Sequence, residues 1–309
     1  MYESIESRLA AGKPVVLDGG TGTEIQRAGV PMDSEVWCAA ANLTHGEAVR
    51  GVHEAYIRAG AAVITANTYA SSPLCFAQLG REAEIERIDR TAVALARDAV
   101  ARAADRPIAI AGSCSVMPAV APGTDRVPPR QWNAGDIVPL YQRKVEVLAE
   151  AGCDLIIVEM MRDLEVSLWA TEAAVATGLP VWVGVTAERD DAGRLVSFAN
   201  HRWTLEELVS GLMGTGAQLA AIMHHELSTT DDALAAIRAQ WGGPMGAYPE
   251  AGHFEMPTWV FRDTSPAEFA AAAVRWRDAG AGVIGGCCGI TPAHISALAG
   301  ALQPVDGES

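Results

Sequence analysis

Two adjacent cysteines, Cys287 and Cys288, follow Gly285-Gly286 and precede Gly289, and this segment is the part of the chain best equipped for chemistry. Two thiolates and one further soft or borderline ligand make a zinc site that keeps a fourth position open for substrate. The flanking glycines permit backbone angles that turn both sulfurs toward one point. The third ligand is offered by His224, or by its neighbour His225. Buried cysteines beside a tight turn, with a histidine bonded to backbone, account for the same residues without a metal. Of the other cysteines, Cys38, Cys75 and Cys153 read as packing, and Cys114 alone is a further plausible ligand.

Acidic and aromatic residues widen the candidate site. Asp18 precedes Gly19-Gly20-Thr21-Gly22, a turn that can offer backbone N–H groups to an anion, although it lacks the Lys-Ser/Thr ending of a phosphate loop. Asp18 together with Glu159 could instead hold an ammonium group. Trp37, Tyr69 and Trp132 could set rings around a methylated cation, and each is more simply read as packing.

These residues need a frame that gathers them. Short apolar runs at 15–17, 62–66, 108–111, 155–159, 181–186, 219–224, 245–248 and 282–286 read as eight strands. Most are continuous rather than alternating, as expected of parallel strands covered on both faces. Helical periodicity lies between them at 46–58, 141–149, 164–176, 205–212, 233–239 and 266–277. Gly60, Gly152, Gly178, Gly216 and Gly280 stand where helices should stop, and Thr291-Pro292 is a helix start. The alternation predicts an α/β protein with a parallel sheet, and eight units predict closure into a single-domain (β/α)8 TIM barrel over residues 1–303, with a flexible tail at 304–309. An open doubly wound sheet is the alternative, weakened by the lack of a dinucleotide fingerprint after the first strand. In a barrel the active site sits at the C-terminal strand ends, where Asp18, Thr68, Tyr69, Glu159, His224, Tyr248, Cys287 and Cys288 all fall.

The chain has 309 residues, 50% of them hydrophobic, and a formal net charge of −15. That balance repels phosphate backbones and argues against nucleic-acid binding. No uninterrupted apolar run approaches the length of a membrane span, and the first nine residues lack a signal-peptide core. Six cysteines at this length are no disulfide scaffold, so a cytoplasmic location is expected.

At this point the chain resembles the homocysteine S-methyltransferase family, which includes S-methylmethionine-dependent and betaine-dependent enzymes. The matching segments are residues 18–27 (Asp-Gly-Gly-Thr-Gly-Thr-Glu-Ile-Gln-Arg), His53-Glu54-Ala55-Tyr56, Thr65-Ala66-Asn67-Thr68-Tyr69, the stretch from Ala151 to Glu159, Tyr248-Pro249, and Gly285-Gly286-Cys287-Cys288-Gly289 with Thr291-Pro292. The resemblance implies a (β/α)8 barrel, Zn2+ on Cys287 and Cys288, and Asp18 with Glu159 binding the amino-acid acceptor. It implies that Thr68 and Tyr69 line the substrate site. Gly19, Thr23, Trp37 and Tyr248 complete the expected substrate-binding set, and His225 is the candidate catalytic proton relay.

The departures cluster at the same mouth. Where the family has its third cysteine ligand stands His224; Met160 replaces a threonine, Glu250 an asparagine, and Ser113-Cys114-Ser115-Val116 a Gly-Pro-Tyr-Gly segment. Imidazole is a good zinc ligand, but putting it in place of a thiolate removes a negative charge, so the metal should become more electrophilic and a bound thiolate less nucleophilic. The expected function is zinc-dependent transfer of a methyl group from a sulfonium or quaternary ammonium donor to a thiol such as homocysteine. Alternatives are a metal-dependent hydrolase or demethylase with Glu226 or Glu250 as base, and a non-catalytic barrel that binds a small amine or metal.

Overall fold

The computed structural model describes residues 1–302 apart from 122, 125, 126, 128 and 129, so the expected tail at 304–309 lies outside the described residues. The barrel strands are β1 (Val15–Val16), β2 (Val63–Thr65), β3 (Ala109–Ser115), β4 (Leu155–Met161), β5 (Val181–Val185), β6 (Leu219–Glu226), β7 (Met245–Glu250) and β8 (Ala281–Ile284). They form one parallel eight-stranded sheet in which β1 pairs with β8 and sequential strands are neighbours from β2 onward. A parallel bridge between Leu17 and Val63 closes the circle, with Ala62 N–H donating to Val16 O at 2.8 Å and Asp18 N–H to Val63 O at 3.1 Å. The closed barrel expected from the sequence is therefore present, and the open sheet is excluded.

Alternation along each strand builds two cores, because neighbouring side chains leave opposite faces. Leu155 and Ile157 point into the barrel with Val15, Val63, Trp182, Leu219 and Val283. Ile156 and Val158 point outward to the helices with Val183, Ile222 and Ile284. The helix Tyr2–Ala10 plugs the N-terminal end: Ile5 joins the inner core, and Trp182 Nε1 donates to Tyr2 Oη at 3.0 Å. The five glycines expected to stop helices all have positive φ. Ile85–Ala103, nineteen residues long, fills the second crossover. Two antiparallel hairpins lie outside the expected scheme: Ala187–Arg189 with Leu195–Ser197 after β5, and Gly252–Glu255 with Thr258–Phe261 after β7.

One buried ion pair fixes the loop after β2. Lys144 Nζ lies 2.8 Å from Asp89 and donates to Thr68 O at 3.0 Å and Ser71 O at 3.2 Å. Asp89 also accepts from Ser71 Oγ. The pair is fully enclosed, so removing the lysine leaves an uncompensated buried carboxylate. Lys144→Met should cost about 3–5 kcal/mol in urea unfolding, with much of it recovered when Asp89→Leu is added. A cost below about 1 kcal/mol would make this pair no more important than a surface one.

Candidate metal and substrate centre

A cavity opens at the C-terminal ends of the strands, lined by residues at the end of, or following, each strand. Two β-bulges shape it. The β4–β5 register shifts between Val158 and Met161, and the β6–β7 register between Met223 and Glu226. Within these bulges Met160 has φ 59° and His224 φ 48°, a backbone region that bulky residues enter only when their surroundings hold them there. A bulge re-aims side chains. His224 lines the cavity, whereas His225 turns away and its Nε2 bonds Thr230 Oγ1 at 2.8 Å. The proton-relay expectation for His225 is thus corrected: its ring is buried outside the cavity, and burial lowers its pKa to about 3.

His224, Cys287 and Cys288 bring one ligand atom each within 4.8 Å of one another. Two sulfurs and an imidazole at that spacing fit a closed triangle around one ion with an open fourth side. Cys114 is fully buried and takes no part in this group. The His224 ring meets Phe198 edge-on at 5.1 Å and lies 6.3 Å from Trp259. Its Nδ1 is 2.5 Å from the Glu250 carboxylate. Burial pushes the imidazole pKa down, but Glu250 and Cys287 outweigh it and the value rises to about 10. The hydrogen bond from Cys288, then His224, hold the Cys287 thiol below its ordinary range, while Cys288 is pushed up by the same shared proton and by burial.

Asp18 and Glu159 stand nearby on the cavity wall. Thr65 N–H donates to Asp18 Oδ2 at 2.7 Å and Thr65 Oγ1 to Oδ1 at 3.0 Å. Ser113 Oγ donates to Glu159, and Tyr248 lies beside it. Burial lifts Asp18 to about 8 and Glu159 to about 7. The glycine-rich turn after Asp18 lines the cavity through Gly19, Gly20, Thr21 and Gly22. A Cβ at Gly20 would lie 2.7 Å from Cys287 O, and one at Gly285 2.7 Å from Asp18 O, so these glycines let the β1 and β8 loops touch.

A family profile described as Homocysteine S-methyltransferase matches residues 15–302. The chain belongs to the homocysteine S-methyltransferase family. It is accordingly a methyltransferase. It is 29% identical over 296 residues to the homocysteine S-methyltransferase of Escherichia coli strain K12, covering 92% of this chain and 94% of that one. It is 26% identical to the selenocysteine methyltransferase of Astragalus bisulcatus, covering 93% and 92%. Among solved structures, the metallated form of the Escherichia coli homocysteine methyltransferase MmuM superposes with a TM-score of 0.69 at 26% identity, covering 93% of this chain and 96% of that one.

Not every residue assigned to substrate from the sequence reaches the family's cavity. Asp18, Gly19, Trp37, Tyr69, Glu159 and Tyr248 line it. Thr23 and Thr68 do not: Thr23 Oγ1 accepts from Gly289 N–H at 3.0 Å, and Thr68 Oγ1 donates to Ser113 O at 2.9 Å. Both hydroxyls tie loops together. Trp132 packs on the outer core with Arg130 over its ring at 4.7 Å. Sequence reasoning missed Phe198, Phe254, Met256 and Trp259, which the two hairpins bring to the wall. The signal for Phe254, Met256 and Trp259 was the long stretch between β7 and the helix Pro266–Asp278, since connections of that length carry structure or function.

The buried carboxylates predict a pH signature. A folded pKa above the unfolded value gives stability that is complete below about pH 4 and lost as pH rises through about 7 to 8. In metal-free buffer the thermal midpoint should therefore decrease as pH rises from about 5.5 to about 8.5. A chain with Asp18→Asn and Glu159→Gln should lose most of that slope; parallel slopes would mean these carboxylates are ionised in the folded protein.

Proposed function

We propose that this protein transfers a methyl group from a sulfonium or quaternary ammonium donor to a thiol amino acid such as homocysteine, using a zinc ion held by His224, Cys287 and Cys288. The observation that carries the reading is the ligand trio at the base of a cavity that also holds two buried carboxylates and an aromatic wall. The named relatives support the acceptor class, since homocysteine and selenocysteine both present a soft chalcogen on an amino acid.

Zinc, when bound, supplies the Lewis acidity that keeps a thiol deprotonated at neutral pH. Asp18 and Glu159 are bonded to hydroxyls and a backbone N–H rather than to arginine or lysine, so they are free to receive the acceptor's ammonium group. Trp37 stands edge-on to Phe254 at 5.4 Å and to Tyr69 at 6.4 Å, and this corner holds the donor's cationic centre. Fixing both partners in one cavity turns a bimolecular displacement into a step within one complex. The sulfur–methyl bond forms as the donor's bond to that methyl breaks, and the donor departs with the electron pair as a neutral product. No side chain of the protein needs to act as a general base in that step.

The two bases expected for the hydrolytic alternative, Glu226 and Glu250, are both engaged elsewhere. Glu226 is half exposed and bridges to Arg262 at 2.7 Å, and Glu250 is engaged by His224. Neither is set to activate water.

Purified enzyme given homocysteine with S-methylmethionine, betaine or S-adenosylmethionine in turn should form methionine with at least one donor. Cys287→Ser should abolish turnover and zinc binding together. Trp37→Ala should raise the donor KM by about 5- to 30-fold, the loss of a desolvated cation–π contact. Donor consumption without any thiol present would sink the proposal.

A further inference from the structure

We infer that Glu250 is the positioning residue of His224, fixing which nitrogen faces the metal and returning to the ligand shell the negative charge that an imidazole lacks. This inference rests on the metal reading above. An imidazole ligand binds through one nitrogen, and the other carries a proton that needs an acceptor; a carboxylate there orients the ring and raises its basicity. His224 Nδ1 lies 2.5 Å from Glu250 Oε2, leaving Nε2 as the nitrogen available to an ion. Both side chains are nearly enclosed, at 14% and 12% exposure, so the contact is poorly screened.

The backbone around Glu250 is fixed to the cysteines from both sides. Cys287 N–H donates to Pro249 O and Ala251 N–H donates to Cys288 O, each at 2.8 Å. These bonds tie the backbone on either side of Glu250 to the cysteine loop. Its strand neighbour Glu226 is paired with Arg262 at the rim, so the two acids divide their partners. Phe198 and Trp259 flank the His224 ring, with centroids at 5.1 and 6.3 Å.

Charge follows directly. Two thiolates and a neutral imidazole cancel a divalent ion, and the Glu250 carboxylate brings the assembly to the single negative charge that three thiolates would give. The loss of charge expected from histidine in the cysteine's place is thereby made good by the acid in the asparagine's place. A substrate thiolate at this site keeps the electron density it needs to attack.

The test is zinc affinity of the purified full-length chain, measured by competition with a chromophoric chelator, so turnover is not the readout. Glu250→Gln keeps size and hydrogen bonding and removes charge, and should weaken binding about 10-fold; Glu250→Ala should approach about 100-fold. In a His224→Cys background the same Glu250→Gln change should cost nothing or tighten binding, because no imidazole remains to be oriented and a carboxylate beside a thiolate is repelled. Thermal unfolding checks that each variant is folded. Equal losses in both backgrounds would make Glu250 a general structural residue and overturn the inference, as would no loss in either. A wild-type chain that takes up no zinc would instead overturn the metal reading itself, and this inference with it.

Discussion

A barrel closes only where its first and last strands can come into contact, and in this protein the chemistry is built on that seam. Gly286 N–H donates to Asp18 O at 2.9 Å and Gly20 N–H to Ile290 O at 3.2 Å, while Tyr56 Oη donates to Ile290 O at 2.7 Å. The two loops pass so near that side chains at Gly20 or Gly285 would collide with backbone. Closure therefore decides two things together. It sets Asp18 beside the cysteine loop, and it holds the cysteines at the cavity rather than in the wall. A substitution in either glycine would disturb barrel closure and site geometry at once.

Strain supplies what closure alone cannot. Parallel strands send successive side chains to opposite faces. A regular β6 would bring only one of two neighbouring histidines inward, by its place in the alternation. The bulge at 224–226 and the positive φ of His224 override that alternation, and β4 repeats the device at Met160 beside Glu159. Each of these functional side chains lies at a break in regular pairing. Such backbone persists because the rest of the molecule outweighs it. Here the paired strands, the inner core and the stitched cysteine loop do so.

What could be read from the chain alone follows the same division. Eight strands, the helix stops and the cysteine pair were legible because period, glycine placement and adjacency are local properties. The choice between His224 and His225 was not, since it depends on a bulge that requires the neighbouring strand. Thr23 and Thr68 bond neighbouring loops instead of lining the cavity, and a hydroxyl at a strand end looks the same in sequence in either role. The aromatic contributors Phe254 and Trp259 lie beyond the end of β7 on a hairpin the strand pattern did not reveal, and the fold of that hairpin returns them to the mouth. Glu250 was visible as a departure, but its partner was visible only in space.

The polarity of the cavity bears on the reaction proposed for it. Its lining is dominated by apolar and aromatic groups, and burial raises the pKa values of Asp18 and Glu159. An ammonium group stabilises the charged forms of these carboxyls and is held in return. The same low-dielectric surroundings act differently on the transferring methyl group. A thiolate and a cationic donor begin with opposite charges and end with neither, so charge disappears along the reaction coordinate. Water would stabilise the charged reactants more than the transition state and slow the step, and excluding it removes that penalty. Carboxylates for the acceptor's permanent charge, and rings rather than carboxylates for the donor's vanishing one, are the arrangement that such a displacement favours. A carboxylate against the donor would stabilise the reactant's positive charge and lose that interaction as the methyl group leaves; an aromatic face holds the cation more weakly and gives up less.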